Sequence, residues 1–146
     1  MTACVVLAGG AGRRLGGADK AAVVVGGSSM LDRVLAAVRP LADALVVVGP
    51  SRETAVAGVR FVEEDAPGGG PVPAVAAGLE AFAPADDDAV VLLAVDQPLL
   101  TTAAVEQLLA RLGAADRPPA AGRDPLLRMC DIVGRRYRLR EDSGTR

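Results

Sequence analysis

The chain contains no histidine and no tryptophan, and its aromatic residues are two phenylalanines and one tyrosine. Without imidazole, the chain lacks the Ser-His and Cys-His pairs that activate many nucleophiles, and it lacks the commonest zinc ligand. So few rings provide no platform for stacking single-stranded bases, and a net charge of −2 provides no basic field for a duplex. These absences argue against a hydrolase and against a nucleic-acid partner.

Cysteines and long apolar runs are also scarce. The two cysteines, Cys4 and Cys130, fit neither a disulfide framework nor a metal-binding motif. The longest apolar stretches, Ala44 to Val48 and Ala89 to Val95, are far shorter than the roughly 20 residues that cross a bilayer, and the N-terminus lacks a basic n-region followed by an h-region. With 146 residues, 51% of them hydrophobic, the sequence predicts a cytoplasmic globular protein without membrane contact.

Charge divides the chain near residue 122. The segment from Arg123 onward holds seven arginines and four acidic residues, whereas residues 1–122 carry a net charge of −5. We therefore predict one domain over 1–122 and a basic tail over 123–146, whose order the sequence does not define because it carries no clean period. Such a tail could bind an anionic partner, or it could reflect a truncated, out-of-frame or divergent gene end.

The run LAGGAGRRLGGADK, from Leu7 to Lys20, follows an apolar segment and contains the only lysine of the chain. Glycines let the backbone approach an anion, successive N–H groups converge on its oxygens, and fixed cations neutralise the remaining charge. Ala18 stands where a P-loop requires lysine, and Leu15 stands where a dinucleotide-binding loop requires glycine. The run therefore predicts a nucleotide phosphate loop of a different type.

Strand and helix patterns alternate along the chain. Short Val- and Leu-rich runs predict buried strands, and periodic apolar residues after capping Ser or Thr predict helices. The predicted strands are Ala3–Leu7, Ala44–Val48, Val59–Val62 and Ala89–Val95, with a further apolar piece at Ala21–Val25. One predicted helix follows Ser29, and two others span Ala74–Phe82 and Thr101–Leu112. This order predicts a mostly parallel sheet with helices on both faces, a three-layer α/β/α sandwich.

Two aspartates fall where ligands bind in such folds, outside the carboxyl ends of the strands. Asp96 directly follows the most apolar strand, and a carboxylate there, together with phosphate oxygens, suits Mg²⁺. The alternative role for Asp96 is to cap the turn that follows. Asp65 follows Glu63 and Glu64 and is either a nucleotide contact or a solvated turn acid.

These parts suit phosphoryl-group chemistry without a covalent intermediate. An acceptor phosphate oxygen would attack the α-phosphorus of a nucleoside triphosphate in line, and pyrophosphate would leave. Arg14 and Lys20 would bind triphosphate oxygens, while Asp96 would hold Mg²⁺. The predicted catalytic residues are therefore Arg14, Lys20 and Asp96. Arg13 is either a surface residue or a further phosphate contact, and the sequence leaves both roles open.

The pattern L-A-G-G-x-x-x-R-L-G-G-x-D-K closely resembles the signature loop of the MobA-like NTP transferases, the group of the molybdenum cofactor guanylyltransferases. VDQP around Asp96 resembles the D-x-P element of the group, and Gly68 to Leu79 resembles its second glycine loop. The resemblance implies a Rossmann-like sheet of the nucleotide-diphospho-sugar transferase type, and transfer of GMP from GTP to molybdopterin. It implies that GTP contacts Leu7, Ala8, Gly9, Gly10, Lys20, Asp65 and Asp96.

The resemblance covers roughly Val5 to Leu112 and leaves three alternatives open. Gly49 stands where some members carry a nucleotide-contacting asparagine, so a cytidylyltransferase of the same superfamily remains an alternative. A sugar-phosphate nucleotidyltransferase is another. Residues 124–146 do not resemble the distal segment of the group, so a nucleotide-binding remnant without turnover is the third. The sequence does not indicate an oligomeric state.

Overall fold

The computed structural model describes residues 1–9, 19–64, 70–85, 88–114 and 130–131. The strands are β1 (Thr2–Leu7), β2 (Val24–Val25), β3 (Ser28–Ser29), β4 (Ala44–Val48), β5 (Val59–Val62), β6 (Ala89–Ala94) and β7 (Cys130–Asp131). The α-helices are α1 (Met30–Val38), α2 (Pro71–Glu80) and α3 (Thr102–Ala114). Within the described ranges, no helix is long and apolar enough to cross a membrane.

Five strands form one sheet in the order β5-β4-β1-β6-β7, and every neighbouring pair is parallel. The central strand β1 pairs Leu7 with Val48 on one side and with Ala94 on the other. Short β2 and β3 form a separate antiparallel hairpin. Because the strands of the main sheet run the same way, their carboxyl ends meet at one edge, which confirms the predicted parallel sheet.

Alternate residues of β1 face opposite layers, as the pleat of a strand requires. Cys4 and Val6 pack in a cluster with apolar residues of α1 and with Val105 of α3. Val5 packs on the other face, in a cluster that includes Leu79 of α2. The sheet thus lies between α1 with α3 on one side and α2 on the other, which confirms the three-layer α/β/α sandwich.

Two helices begin at the predicted caps. The Asp32 amide donates to Ser29 Oγ over 3.0 Å at the start of α1, and the Ala104 amide donates to Thr101 Oγ1 over 3.3 Å before α3. Each cap satisfies a backbone donor that has no acceptor within the helix. Helix α2 begins at Pro71, earlier than the predicted Ala74, because proline in the first turn loses no helical hydrogen bond.

Two segments differ from the sequence interpretation. The apolar piece Ala21–Val25 is not a core strand, since Ala21 is buried in a 3-10 turn whereas Val24 is 66% exposed in the hairpin. Cys130 and Asp131 lie in the basic tail, where the sequence has no clean period, yet they add strand β7 beside β6. The boundary predicted at residue 122 stays a prediction.

Candidate functional site

Three loops leave the sheet at its carboxyl edge, directly after β1, β4 and β6. The backbone ladder continues past the strands: the Ala8 amide donates to the Val48 carbonyl over 2.9 Å, and the Val95 amide donates to the Leu7 carbonyl over 3.1 Å. The first residues of the glycine loop therefore lie between the two loops that follow the neighbouring strands. This arrangement places the start of the glycine loop and the segment that carries Asp96 at the same edge of the sheet.

Gly49, the first residue after β4, lies against the start of the glycine loop. Its φ is +146°, and a Cβ added there would come within 3.0 Å of both the Ala8 carbonyl carbon and the Gly9 nitrogen. Its own amide donates to the Val62 carbonyl over 2.8 Å. Glycine is required here because two backbone segments approach closely. A side chain at this position would therefore strain the backbone and crowd the start of the glycine loop.

Lys20 and Asp96 form an ion pair at this edge, with Lys20 Nζ 3.4 Å from Asp96 Oδ2. Lys20 begins a 3-10 turn over Lys20–Ala22, which is held by Asp19 as its cap and by Ala21, whose side chain is fully buried in the core. Asp96 follows β6 and is held there by the parallel pairing of β6 with β1. Rigid elements therefore position both charges, while the charged groups themselves reach solvent.

A second ion pair, between Asp19 and Arg52, connects the end of the glycine run to the loop after β4. Arg52 is the better buried of the two, with 19% of its side chain exposed. Glu64, which follows β5, also reaches this region, since a Cβ added at Gly9 would lie 3.9 Å from its Oε1. Neither Arg52 nor Glu64 is among the residues that the sequence predicts for the site, although both follow predicted strands.

The first turn of α1 contacts the loop after β4 through Asp32 and the loop after β6 through Arg33. Asp32 Oδ1 accepts hydrogen bonds from Thr54 Oγ1 at 2.6 Å and from the Ala55 amide at 3.0 Å. The Thr54 hydroxyl is the main group that lowers the pKa of Asp32; partial burial opposes it, and Ser29 and Ala55 add to it. Arg33 Nε donates to the Pro98 carbonyl over 2.8 Å, beside Asp96.

The described part of the chain contains Leu7, Ala8, Gly9, Lys20 and Asp96 among the predicted site residues. Leu7 ends β1, Ala8 follows in the backbone ladder, and Gly9 is exposed at the edge. Gly10, Arg14 and Asp65 lie outside the described residues, as does Arg13. The structure thus joins Lys20, Asp96 and the start of the glycine loop, and the roles assigned to all these residues stay predictions.

The described residues of this edge form no cluster that would hold a metal without further ligands such as phosphate oxygens. Among the residues that the structure describes, no group of three or more His, Cys, Asp or Glu side chains could bind a metal ion. Cys4 is not a reactive group either, because burial raises the pKa of its thiol to about 12, with Arg39 acting weakly in the opposite direction. Among the described residues, the charged groups of the site are the ion pairs Lys20–Asp96 and Asp19–Arg52, together with Glu64.

Comparison with known families matches residues 4–144 to the model of the MobA-like NTP transferase domain. The chain belongs to this family. The match extends beyond residue 122 and includes most of the basic tail. The family membership inferred from the glycine loop is thereby confirmed.

Several relatives of this MobA-like chain are named molybdenum cofactor guanylyltransferases. The protein of that name from Acidiphilium cryptum is 41% identical over 114 residues, which cover 76% of this chain and 56% of the relative. A second, from Pseudomonas putida strain KT2440, is 39% identical over 121 residues, covering 80% and 60%. A probable one from Haloferax mediterranei is 35% identical over 115 residues, covering 74% and 53%. The chain thus spans slightly more than half the length of these relatives.

A solved structure of similar fold is the 2-C-methyl-D-erythritol 4-phosphate cytidylyltransferase from Thermus thermophilus. It superposes with a TM-score of 0.56 and 27% sequence identity, covering 77% of this chain and 50% of that chain. The MobA-like chain and this cytidylyltransferase therefore share the α/β architecture.

Proposed function

We propose that this chain is a nucleotidyltransferase that transfers GMP from GTP to molybdopterin and releases pyrophosphate. The observation that carries the proposal is the Lys20–Asp96 pair at the carboxyl edge of a parallel sheet, the edge at which the glycine loop begins. A cation and a carboxylate at this place suit a triphosphate and its counter-ion. Family membership and the names of the relatives support the same reaction.

The reaction needs positioning and charge stabilisation more than it needs a nucleophilic side chain. A phosphate oxygen of molybdopterin attacks the α-phosphorus of GTP, a new P–O bond forms, and the bond to the β-phosphate oxygen breaks. The electron pair of that bond leaves with pyrophosphate. Lys20 would bind triphosphate oxygens and offset the charge that grows on the leaving group, so its contact is strongest in the transition state.

Mg²⁺ is the proposed cofactor, and Asp96 is the residue of this edge that would bind it. Asp96 is a single carboxylate with 52% of its side chain exposed, and Mg²⁺ is commonly held by one or two carboxylates together with substrate phosphates and water. When bound, the ion would neutralise negative charge on the phosphates. Asp96 is therefore proposed to hold Mg²⁺ only when the nucleotide is bound. Its carboxylate would then leave the ion pair with Lys20 and bind the metal ion instead.

The glycine loop supplies the remaining proposed contacts. Leu7, Ala8, Gly9 and Gly10 would present backbone groups to GTP, and Gly9 is already exposed at the edge. Arg14 would bind the triphosphate beside Lys20, and Asp65 would contact the nucleotide. The cytoplasmic location of the reaction also remains a prediction from the sequence.

A cytidylyltransferase is the second candidate, and the likeness to a solved cytidylyltransferase favours it. Gly49 bears no side chain that could select guanine over cytosine. The choice between GTP and CTP therefore depends on residues other than Gly49. Nucleotide binding without turnover is a further outcome that the assay must distinguish.

The test incubates the chain with molybdopterin, Mg²⁺ and either GTP or CTP, and measures pyrophosphate release together with the mass of the product. Calorimetry with each nucleotide measures binding separately. The proposal expects binding of GTP, pyrophosphate release with GTP, and a molybdopterin guanine dinucleotide product. Product with CTP alone would identify the second candidate, binding without release would indicate a nucleotide-binding protein, and absence of binding would overturn both.

A further inference from the structure

Arg33 lies on the first turn of α1, and its guanidinium joins two segments that carry site residues. Nε donates to the Pro98 carbonyl over 2.8 Å, and Nη1 donates to the Val25 carbonyl over 3.2 Å. Pro98 lies two residues after Asp96 in the loop that follows β6, and Val25 is in the hairpin that follows Lys20. One side chain therefore links the segments that position the two members of the ion pair.

The loop after β6 is exposed or half-buried over residues 96–100. Leu99 is 82% exposed, while Leu100 packs at the margin of the core. A cleft of about 450 Å³ lies beside the turn, lined by Arg33, Pro98 and Thr101 among other residues. Because open space adjoins the turn, packing alone does not define the position of Pro98, and the hydrogen bond from Arg33 is its directional contact.

We propose that Arg33 is a positioning residue that sets the distance between Asp96 and Lys20 by holding the Pro98 and Val25 carbonyls together. The inference rests on the proposed nucleotide function of this edge. A guanidinium suits the task because its donors lie in a rigid plane and can serve two acceptors at fixed separation. Lysine carries the same charge on a flexible stem and does not reproduce that spacing.

Arg39 provides a matched control at the other end of α1. Its Nη2 donates to the Ala42 carbonyl over 2.9 Å, so it also bonds backbone from a partly buried position. Ala42 precedes β4, at the amino edge of the sheet. Arg39→Lys therefore changes the same chemical group, at the residue that directly follows α1, without contacting the loops at the carboxyl edge.

The first measurement is amide hydrogen exchange of the chain without ligand. The Leu100 amide donates to the Gln97 carbonyl over 3.1 Å within the turn, so its exchange rate reports the order of that turn. We expect Arg33→Lys to accelerate exchange at Leu100 by about tenfold, and Arg39→Lys to leave it unchanged. Unchanged exchange at Leu100 in Arg33→Lys would overturn the inference, whatever the chain binds.

The second measurement is GTP affinity by calorimetry with and without Mg²⁺. Residues that orient a metal ligand typically change metal affinity by about ten- to a hundredfold, so Arg33→Lys should reduce the Mg²⁺-dependent gain by a factor in that range. In an Asp96→Ala background the same substitution should cause no further reduction. An equal reduction in both backgrounds would show that Arg33 does not act through Asp96. If the parent chain fails to bind GTP, the proposed function fails, while the exchange measurement still decides the role of Arg33.

Discussion

Lys20 and Asp96 lie 76 residues apart in the sequence, yet their charged groups are 3.4 Å apart at the carboxyl edge of the sheet. Their side chains are 35% and 52% exposed, respectively. Ion pairs this open contribute about 0–1 kcal/mol to stability, because water screens the attraction and ordering the side chains opposes it. The fold therefore does not depend on this pair, and both groups can exchange partners when a nucleotide binds.

Replacement of Asp96 separates function from stability. We expect Asp96→Ala to lose most of the increase in GTP affinity that Mg²⁺ causes, while metal-free affinity stays nearly intact and the free energy of unfolding changes by about 1 kcal/mol or less. Calorimetry and urea denaturation measure the two quantities. Asp43→Ala is the control, since Asp43 accepts a hydrogen bond from the Thr2 amide before β4, at the opposite edge. A normal Mg²⁺ response in Asp96→Ala would place the cation elsewhere.

Lys20 allows a direct chemical test, because it is the only lysine in the chain. Bound GTP should protect Lys20 from acetylation, as read by mass spectrometry of a single peptide. Lys20→Ala should weaken GTP binding by about 1.5–3 kcal/mol, the usual contribution of a hydrogen bond to a charged group. Arg60 lies on β5, and its guanidinium donates to the Ala81 carbonyl. Arg60→Ala removes this cation and should leave the GTP affinity unchanged. Equal acetylation with and without GTP would remove Lys20 from the site.

The strands and their common edge could be predicted because a short Val- and Leu-rich run has one stable environment, the interior of a parallel sheet. Asp96 was placed correctly for the same reason: it follows such a run, and parallel strands end together. The caps at Ser29 and Thr101 were predictable because the hydrogen bonds involved are local.

Arg33 and Arg52 could not be predicted, because their partners are distant in the sequence. In the periodic pattern of α1, Arg33 is a polar position on an amphipathic helix, which is ordinarily solvated. Only the fold brings the carbonyls of Val25 and Pro98 within reach of its guanidinium. Arg52 similarly depends on tertiary structure, since three strands and α1 separate it from its partner Asp19.

Gly78 determines how closely α2 approaches the sheet. A Cβ added at this position would lie 2.4 Å from Val5 Cγ1 and 3.1 Å from Val48 Cγ2. Alanine favours a helix by about 1 kcal/mol over glycine, but overpacking a core costs about 1–3 kcal/mol and more when the neighbours are stiff β-branched residues. We therefore expect Gly78→Ala to lower the free energy of unfolding, as measured by urea denaturation.

A double-mutant cycle identifies the contact responsible. Val5→Ala removes the methyl groups nearest to the new Cβ, so the combined Val5→Ala, Gly78→Ala variant should be more stable than the sum of the two single effects predicts. Simple additivity would show that the loss in Gly78→Ala does not come from Val5. A gain in stability for Gly78→Ala alone would show that α2 can move outward at little cost.

Asp32 should make the stability of the fold sensitive to acid. Hydrogen bonds, chiefly from Thr54, lower the pKa of its carboxyl group below the ordinary value of 3.8, so the folded state binds the proton more weakly than the unfolded state. The resulting stabilisation is complete above about pH 4 and is lost as the pH falls through the lower folded-state pKa. Removing the Thr54 hydroxyl should therefore matter most when Asp32 is ionised.

The prediction concerns Thr54→Val, which keeps the shape of the side chain and removes the donor to Asp32 Oδ1. We expect this variant to lose about 1 kcal/mol of unfolding free energy at neutral pH, and the difference from the parent chain to shrink in urea titrations from about pH 6 down to about pH 2. Thr101→Val is the matched control. This substitution removes the cap of α3, in which the acceptor is a neutral hydroxyl. The unfolding free energy that Thr101→Val loses should therefore be the same at every pH. If the loss in Thr54→Val proved equally independent of pH, ionised Asp32 would not be the acceptor that stabilises the loop after β4.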